Sequence, residues 1–208
     1  MRVRQFLAAM GLSAAVVTGG SMIAEQEGMV LNSYLDPVEI NTVCFGHTGA
    51  DIDNSKTYTL EECLRQLAAD LVIFNNQLLQ LTRQVRLSNE EHAAYLSFIY
   101  NIGAGAFAES TLRKKLLAGD HVGACNELPR WIYAKGKKLL GLMVRRQRER
   151  DLCLKGVNYV QHHQERRWPP TPIHHWRVNS DYCRTEYWAQ VRHRCQGYCA
   201  SQPQYRLG

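Results

Sequence analysis

The sequence predicts an α+β fold: a small antiparallel hairpin sheet near the N-terminus, followed by a mainly helical C-terminal lobe. Three observations predict it. Short alternating stretches flank an Asp36-Pro37 turn. Two capping boxes open runs of helical spacing. A composition of 45% hydrophobic and 21% charged residues suits a chain that buries an ordinary core. At 208 residues the chain is one domain with appendages, or two small domains at most. Wholesale disorder, collagen-like repetition and a polytopic membrane protein are excluded by that composition, and solenoids and propellers by the lack of an internal repeat.

The elements come in this order. Tyr34-Leu35, the Asp36-Pro37 turn and Val38 to Val43 give short strands closed by Gly46 and Gly49. Thr59-Leu60-Glu61-Glu62 is a capping box leading into Leu60, Cys63, Leu64, Leu67, Ala68 and Leu71 at helical spacing. Ser88-Asn89-Glu90-Glu91 is a second, before Ala94, Tyr95, Phe98, Ile99 and Ile102, and Gly103 ends that helix. A short helix over 110–118 stops at Gly119, Asp120 caps the next, and Pro129 kinks or ends it. A last amphipathic run from Leu139 to Leu154 is expected to present Leu140, Met143 and Val144 inward, with Arg145, Arg146, Arg148 and Arg150 mostly in solvent.

Two flanking segments differ from this unit of residues 25–155. At the front, Arg2 and Arg4 precede an uncharged stretch, Gln5 to Ala24, with the marks of an export signal or a signal anchor. Gly11, Gly19, Gly20, Ser13, Thr18 and Ser21 interrupt its apolar character, so a bilayer would hold it weakly. It is either cleaved after Ala24 or retained, and the positive-inside rule sends the chain beyond Ala24 out of the cytoplasm. At the back, residues 156–208 hold five of the eight His, three of the four Trp and four of the six Pro with no sustained period. That tail reads as a poorly ordered basic extension; its His162-His163 and His174-His175 pairs do not amount to a metal site.

Charge is unevenly spread: −6 over residues 1–112, +8 over 113–155 and +4 over 156–208. The basic half suggests a polyanionic partner: nucleic acid, anionic lipid or an acidic wall polymer. Nucleic acid conflicts with the export segment and finds no binding motif. Seven cysteines without a Cys-x-x-Cys spacing argue against zinc ribbons and redox motifs. In an oxidising compartment some pair; Cys44 with Cys63 and Cys125 with Cys153 would bridge neighbouring elements, though the sequence alone leaves the connectivity open.

One group of residues combines as a site: Glu27 just after the uncharged stretch, Asp36 on the hairpin turn and Thr42 on the returning strand. Two carboxylates across a cleft are what glycosidic cleavage needs, one protonated to donate to the leaving oxygen and one ionised to activate water. A threonine hydroxyl beside the second can hold that water. By itself such a trio is weak, because acidic pairs are common.

The spacing adds to it. Glu27-x8-Asp36-x5-Thr42, with Val43-Cys44-Phe45-Gly46-His47-Thr48-Gly49 directly after it, resembles the phage-type lysozymes, the endolysins of glycoside hydrolase family 24. The likeness continues in order through Tyr58 to Cys63, Ser97 to Gly105, Ser110-Thr111-Leu112, Gly123-Ala124-Cys125, Arg130-Trp131 and Gly141-Leu142-Met143-x-Arg145-Arg146, and covers about residues 25–155. It implies a lysozyme-like fold and hydrolysis, with inversion, of the β-1,4 bond between N-acetylmuramic acid and N-acetylglucosamine in peptidoglycan. It implies Glu27 as general acid in a partly desolvated cleft, Asp36 as the base that positions water and Thr42 as its partner. Tyr100 and Asn101 fall where such enzymes line their cleft and are expected to contact sugar, and His47, after Gly46, is expected as hairpin structure or as cleft lining that binds substrate. The expected enzyme is monomeric, has peptidoglycan as its partner, and uses no cofactor and no metal. Pro129 and the tail depart from the pattern.

The weak N-terminal segment resembles that of signal-arrest-release endolysins, held on the inner membrane until it depolarises. Embedded, it would pin Glu27 about 4.5 Å beyond the span, away from the hairpin. Release would take the enzyme to the periplasm, and the expected outcome is host cell lysis. The rival reading is a non-enzymatic cationic protein that binds membrane or wall through its tail.

Overall fold

The computed structural model describes residues 2–35, 39–134 and 136–167. The front segment breaks at Gly11, where φ is +78°, into α1 (Val3–Ala9) and α2 (Ala14–Glu27), the latter capped by Ser13. Next comes a three-stranded antiparallel sheet in the order β1 (Val30–Leu35), β2 (Asn41–Cys44), β3 (His47–Thr48). Tyr34 pairs with Thr42 and Leu35 with Asn41, so a five-residue connection carries Asp36; residues 36–38 lie outside the described residues. The helical part comes after the sheet: α3 (Leu60–Leu81), α4 (Asn89–Ile102), α5 (Ala104–Glu109), α6 (Thr111–Leu117), α7 (His121–Cys125), a 3-10 turn at Leu128–Arg130 that begins beside Pro129, and α8 (Leu140–Arg167). Between that turn and α8 stands a small hairpin, β4 (Tyr133–Ala134) with β5 (Lys137–Lys138). The architecture is the α+β arrangement read from the sequence, with the small sheet between the two front helices and the larger helical part.

Local chemistry explains most boundaries. Thr59 accepts a hydrogen bond from the Glu62 amide while Glu62 reaches back to the Thr59 amide, and Ser88 and Glu91 do the same. Gly103 closes α4 with a φ of +82°, where a side chain would be strained. Asp120 caps α7 by accepting from the Gly123 amide.

α4 is the central helix. Ala94, Tyr95, Leu96, Phe98 and Ile99 are fully buried, with α2 packed on one side and α8 on another. The front segment belongs to this core: Phe6, Leu7, Val16, Val17 and Ile23 are buried in the same cluster as Leu67, Leu71 and Phe98. Two glycines let α2 approach. A Cβ on Gly19 would stand 2.9 Å from the Ala93 carbonyl oxygen, and one on Gly20 would meet Leu71 and Leu7 at 2.5 and 2.8 Å. Disulfides join Cys44 at the end of β2 to Cys63 in α3, and Cys125 of α7 to Cys153 of α8.

α8 differs from expectation in two ways. Its inward face is charged: Arg145 is 6% exposed and Arg146 and Glu149 fully buried, while Leu140, Met143 and Val144 are 75%, 37% and 47% exposed. The physical reason is pairing, because Glu149 lies between the two guanidiniums and α4 supplies further acceptors. Arg148 is exposed, as expected, and Arg150 half-buried. The helix also runs on past Gly156 to Arg167, with Gly156 against Ser88 and Glu90 and Val157 in the core. The His pairs at 174–175 and the rest of residues 168–208 lie outside the described residues, as do the side chains of residues 159–167, His162 and His163 included.

Candidate active site

Glu27 is the last residue of α2, and Gly28, at φ +72°, turns the chain sharply toward β1. The fit of α2 against α4 therefore fixes where this carboxylate stands. It is about one quarter exposed, facing an open cleft of about 820 Å³. Glu25, Gln26 and Asn101 line the cleft too, together with the start of α8 through Leu140, Val144 and Arg145. The turn between β2 and β3 closes in from another direction, where Gly46 takes a φ of +79° that favours glycine; a Cβ there would sit 3.4 Å from Glu27 Oε2, in ordinary contact.

Arg145 was not among the residues the sequence singled out, yet it makes the shortest contact to the carboxylate. Its Nη1 donates to Glu27 Oε1 at 2.6 Å, Nη2 to the Ser97 carbonyl oxygen at 3.1 Å and Nε to Glu149 Oε1 at 3.2 Å. Three acceptors in three directions leave this guanidinium one orientation. Behind it Arg146 Nη1 donates to Glu149 Oε2 at 2.7 Å, Nη2 donates to Asn101 Oδ1, and the guanidinium lies 4.8 Å from the Phe98 ring centre. Burial pushes the Glu149 carboxyl up against the opposing pull of Arg146, Arg145 and Ser97, and lowers Arg146 to about 10. Glu149 is paired on both oxygens: Oε1 accepts from Arg145 and from the Ser97 hydroxyl, the latter at 2.7 Å, and Oε2 accepts from Arg146.

The structure places most of the other residues selected from the sequence. Thr42 is buried on β2, pairs with Tyr34 and Thr48, and donates its hydroxyl to the Ile40 carbonyl oxygen at 3.0 Å. Asp36, the next residue in sequence after Leu35, lies outside the described residues. His47 on β3 is held by three groups: Asp70 at 2.9 Å and Gln66 at 3.1 Å around Nδ1, and Asp51 at 3.2 Å from Nε2. Asp70 is nearly buried, and burial raises its carboxyl in spite of the imidazole beside it. Tyr100 donates its hydroxyl to the Phe45 carbonyl oxygen at 2.9 Å, tying the β2–β3 turn to α4. Asn101 lines the cleft while accepting from Arg146. Thus Glu27 and Asn101 meet directly at the cleft, whereas His47 and Tyr100 hold the turn that faces Glu27. Among the described residues, no cluster of His, Cys, Asp and Glu has metal-holding geometry.

Arg145 could have been found from two signals. It belongs to the Gly141–Arg146 block, and its spacing to Glu149 is that of a helical ion pair. What concealed it was the apolar alternative at 140, 143 and 144.

Comparison with known proteins bears on this geometry. The phage lysozyme profile matches residues 24–149. A SAR-endolysin from Bacteriophage PS119 is 43% identical over 148 residues, covering 71% of this chain and 88% of the relative. The crystal structure of a P22 lysozyme mutant is 31% identical with a TM-score of 0.58, over 69% of this chain and 97% of that one. The active form of the P1 phage endolysin Lyz, at 23% identity and a TM-score of 0.64, covers 74% of this chain and 93% of its own, and shares the fold.

Proposed function

The chain belongs to the phage lysozyme family, and on that footing we propose how its cleft works and how its N-terminus controls it. The protein is a peptidoglycan-hydrolysing endolysin, a glycoside hydrolase with lysozyme activity. The non-enzymatic alternative is not favoured.

Glu27 is the general acid, and the observation that carries this is its position: a carboxylate at a helix end, open to the cleft and oriented by Arg145 at 2.6 Å. Protonated, it gives its proton to the oxygen of the β-1,4 bond between N-acetylmuramic acid and N-acetylglucosamine as the bond breaks. Water attacks the anomeric carbon from the opposite face and gives its proton to Asp36, with Thr42 helping to hold that water. Such a course inverts the anomeric centre and needs carboxyls roughly 6.5–9.5 Å apart. The reading of Thr42 is supported by its place on β2, the strand that returns beside β1. No cofactor enters this scheme, and one chain supplies the whole trio.

Residues 5–24 are an export segment that first holds the protein on the inner membrane, facing the periplasm, and is then released intact. No helix among the described residues is long and apolar enough to cross a membrane. The released state supports the reading in another way: Gly19 and Gly20, which weaken the segment as an anchor, are also what let α2 pack on α4, α3 and α1 with Glu27 at its end. A larger residue at these positions would favour lipid and obstruct the soluble fold together. Fractionation of an E27Q protein checks it. Full-length material should be found in membranes before depolarisation and in the periplasm after it, and Leu at positions 19 and 20 should leave it in membranes; processing to a shorter soluble form beforehand would discard the switch.

A second experiment separates enzyme from wall-binding tail. Digestion of purified walls should fall at least about 100-fold in E27Q and D36N, the scale of a lost acid or base, and should survive removal of residues 168–208.

A further inference from the structure

We infer that Glu149 is a positioning residue for the proposed acid: it holds Arg145 against Glu27 and offsets one of two buried guanidinium charges, so that Glu27 can carry a proton. This rests on the reading of Glu27 as the proton donor.

The arrangement poses a problem of charge. A general acid must be protonated when substrate binds, yet Arg145 touches Glu27 at 2.6 Å, and a cation at that range favours the ionised form. Arg146, fully buried beside it, adds a second positive charge. Two cations facing one carboxylate would leave little proton to donate. Glu149 changes the count. It is fully buried, accepts from Arg145 on Oε1 and Arg146 on Oε2, and lies on the opposite side of Arg145 from Glu27. Arg145 therefore shares its charge between two carboxylates, and Glu27 faces a net single positive charge.

The remaining neighbours do not do this. Tyr100 of α4 is neutral, with burial raising its phenol far above the ordinary range, and it points its hydroxyl at Phe45. Asn101 of α4 and Gly46 of the β2–β3 turn are uncharged. On its own helix Glu25 lines the cleft, and so does the exposed Arg148 of α8. Both are open to solvent, where charge is screened.

The support for Glu149 is itself built. The Ser97 hydroxyl gives its one proton to Glu149 at 2.7 Å, and Gln26 Oε1 lies 3.3 Å from the same hydroxyl. Turning the Gln26 amide over would let Nε2, otherwise without a partner, donate to Ser97. Glu149, Ser97 and Gln26 then connect α8 through α4 to the residue next to Glu27.

The test is the alkaline limb of the pH–rate profile for digestion of purified walls by the full-length released protein. E149Q leaves two cations against Glu27 and should move the limb to lower pH by about one unit or more. R146Q removes a cation and should move it to higher pH. E149Q/R146Q restores the original balance and should return the limb to the wild-type position. A packing role alone would lower stability and rate without this ordered pattern, so limbs that stay put overturn the inference. Should E149Q fail to fold, R146Q and the double variant decide: an alkaline shift and its reversal support the inference, and any other result overturns it. E27Q is measured alongside. If E27Q still digests walls, the acid reading itself is wrong; if it is inert while the limbs stay put, only the role of Glu149 is lost.

Discussion

At the scale of single residues, the site depends on burying charge and satisfying it. Arg145 has acceptors on α2, α4 and α8, so its removal leaves Glu27 loose and deprives buried Glu149 of a donor. R145M should lower stability by about 3 kcal/mol, the scale of breaking a buried ion pair from one side, whereas R148M, at an exposed position, should change it by less than about 0.5 kcal/mol. Thermal unfolding of the two variants checks the difference. A second prediction concerns Glu62, whose carboxyl Lys56, together with the Thr59 amide and hydroxyl, lowers from 4.5 to about 2. A group depressed in the folded state contributes stability that is present above its unfolded value and lost as pH falls through the folded one. The stability that this contact adds to the cap of α3 should therefore be full above about pH 4.5 and be lost as pH falls from there to about 2. Titration of the Glu62 carboxyl by NMR, with its midpoint well under 4, would agree.

At the scale of elements, α2 and α8 decide how the site is built. The close approach of α2 depends on Gly19 more than on Gly20, because a Cβ at Gly19 meets backbone, the Ala93 carbonyl oxygen, while at Gly20 it meets the movable ends of leucines. G19A should thus destabilise by about 1–3 kcal/mol, the range for overpacking, and G20A by less, as thermal melts of the two would show. What was legible in the sequence divides along the same physical line. Both capping boxes, the end of α4 at Gly103 and the cap at Asp120 were readable because each is settled within four residues. The inward face of α8 was not. Leu140, Met143 and Val144 have the spacing of a core stripe, and the stripe that is buried, Arg145, Arg146, Glu149, Cys153 and Val157, has the same spacing with charges in it. Glu149 pairs both guanidiniums within the helix, but partners distant in sequence, Ser97, Asn101 and Glu27, complete the set that makes those charges tolerable inside. Glu27 was singled out by its spacing to Asp36 and Thr42, whereas the two signals for Arg145 were outweighed by the apolar spacing at 140, 143 and 144.

At the scale of the whole molecule, the proposed release from the membrane gives the same residues of the front segment two uses. Its glycines and alanines interrupt the apolar run, and in the folded protein they bring α2 onto α4 so that its last residue, Glu27, stands at the cleft. Lysis would then be timed by whether residues 5–24 are in lipid or in the core. The most direct measurement is of product: purified peptidoglycan digested by the full-length released protein, with the new reducing ends identified and their anomeric form tracked by NMR from the first minutes. Wild type should liberate N-acetylmuramic acid ends, initially in the α configuration, and E27Q essentially none. Ends of another sugar, initial β product, or equal release by E27Q would contradict the account.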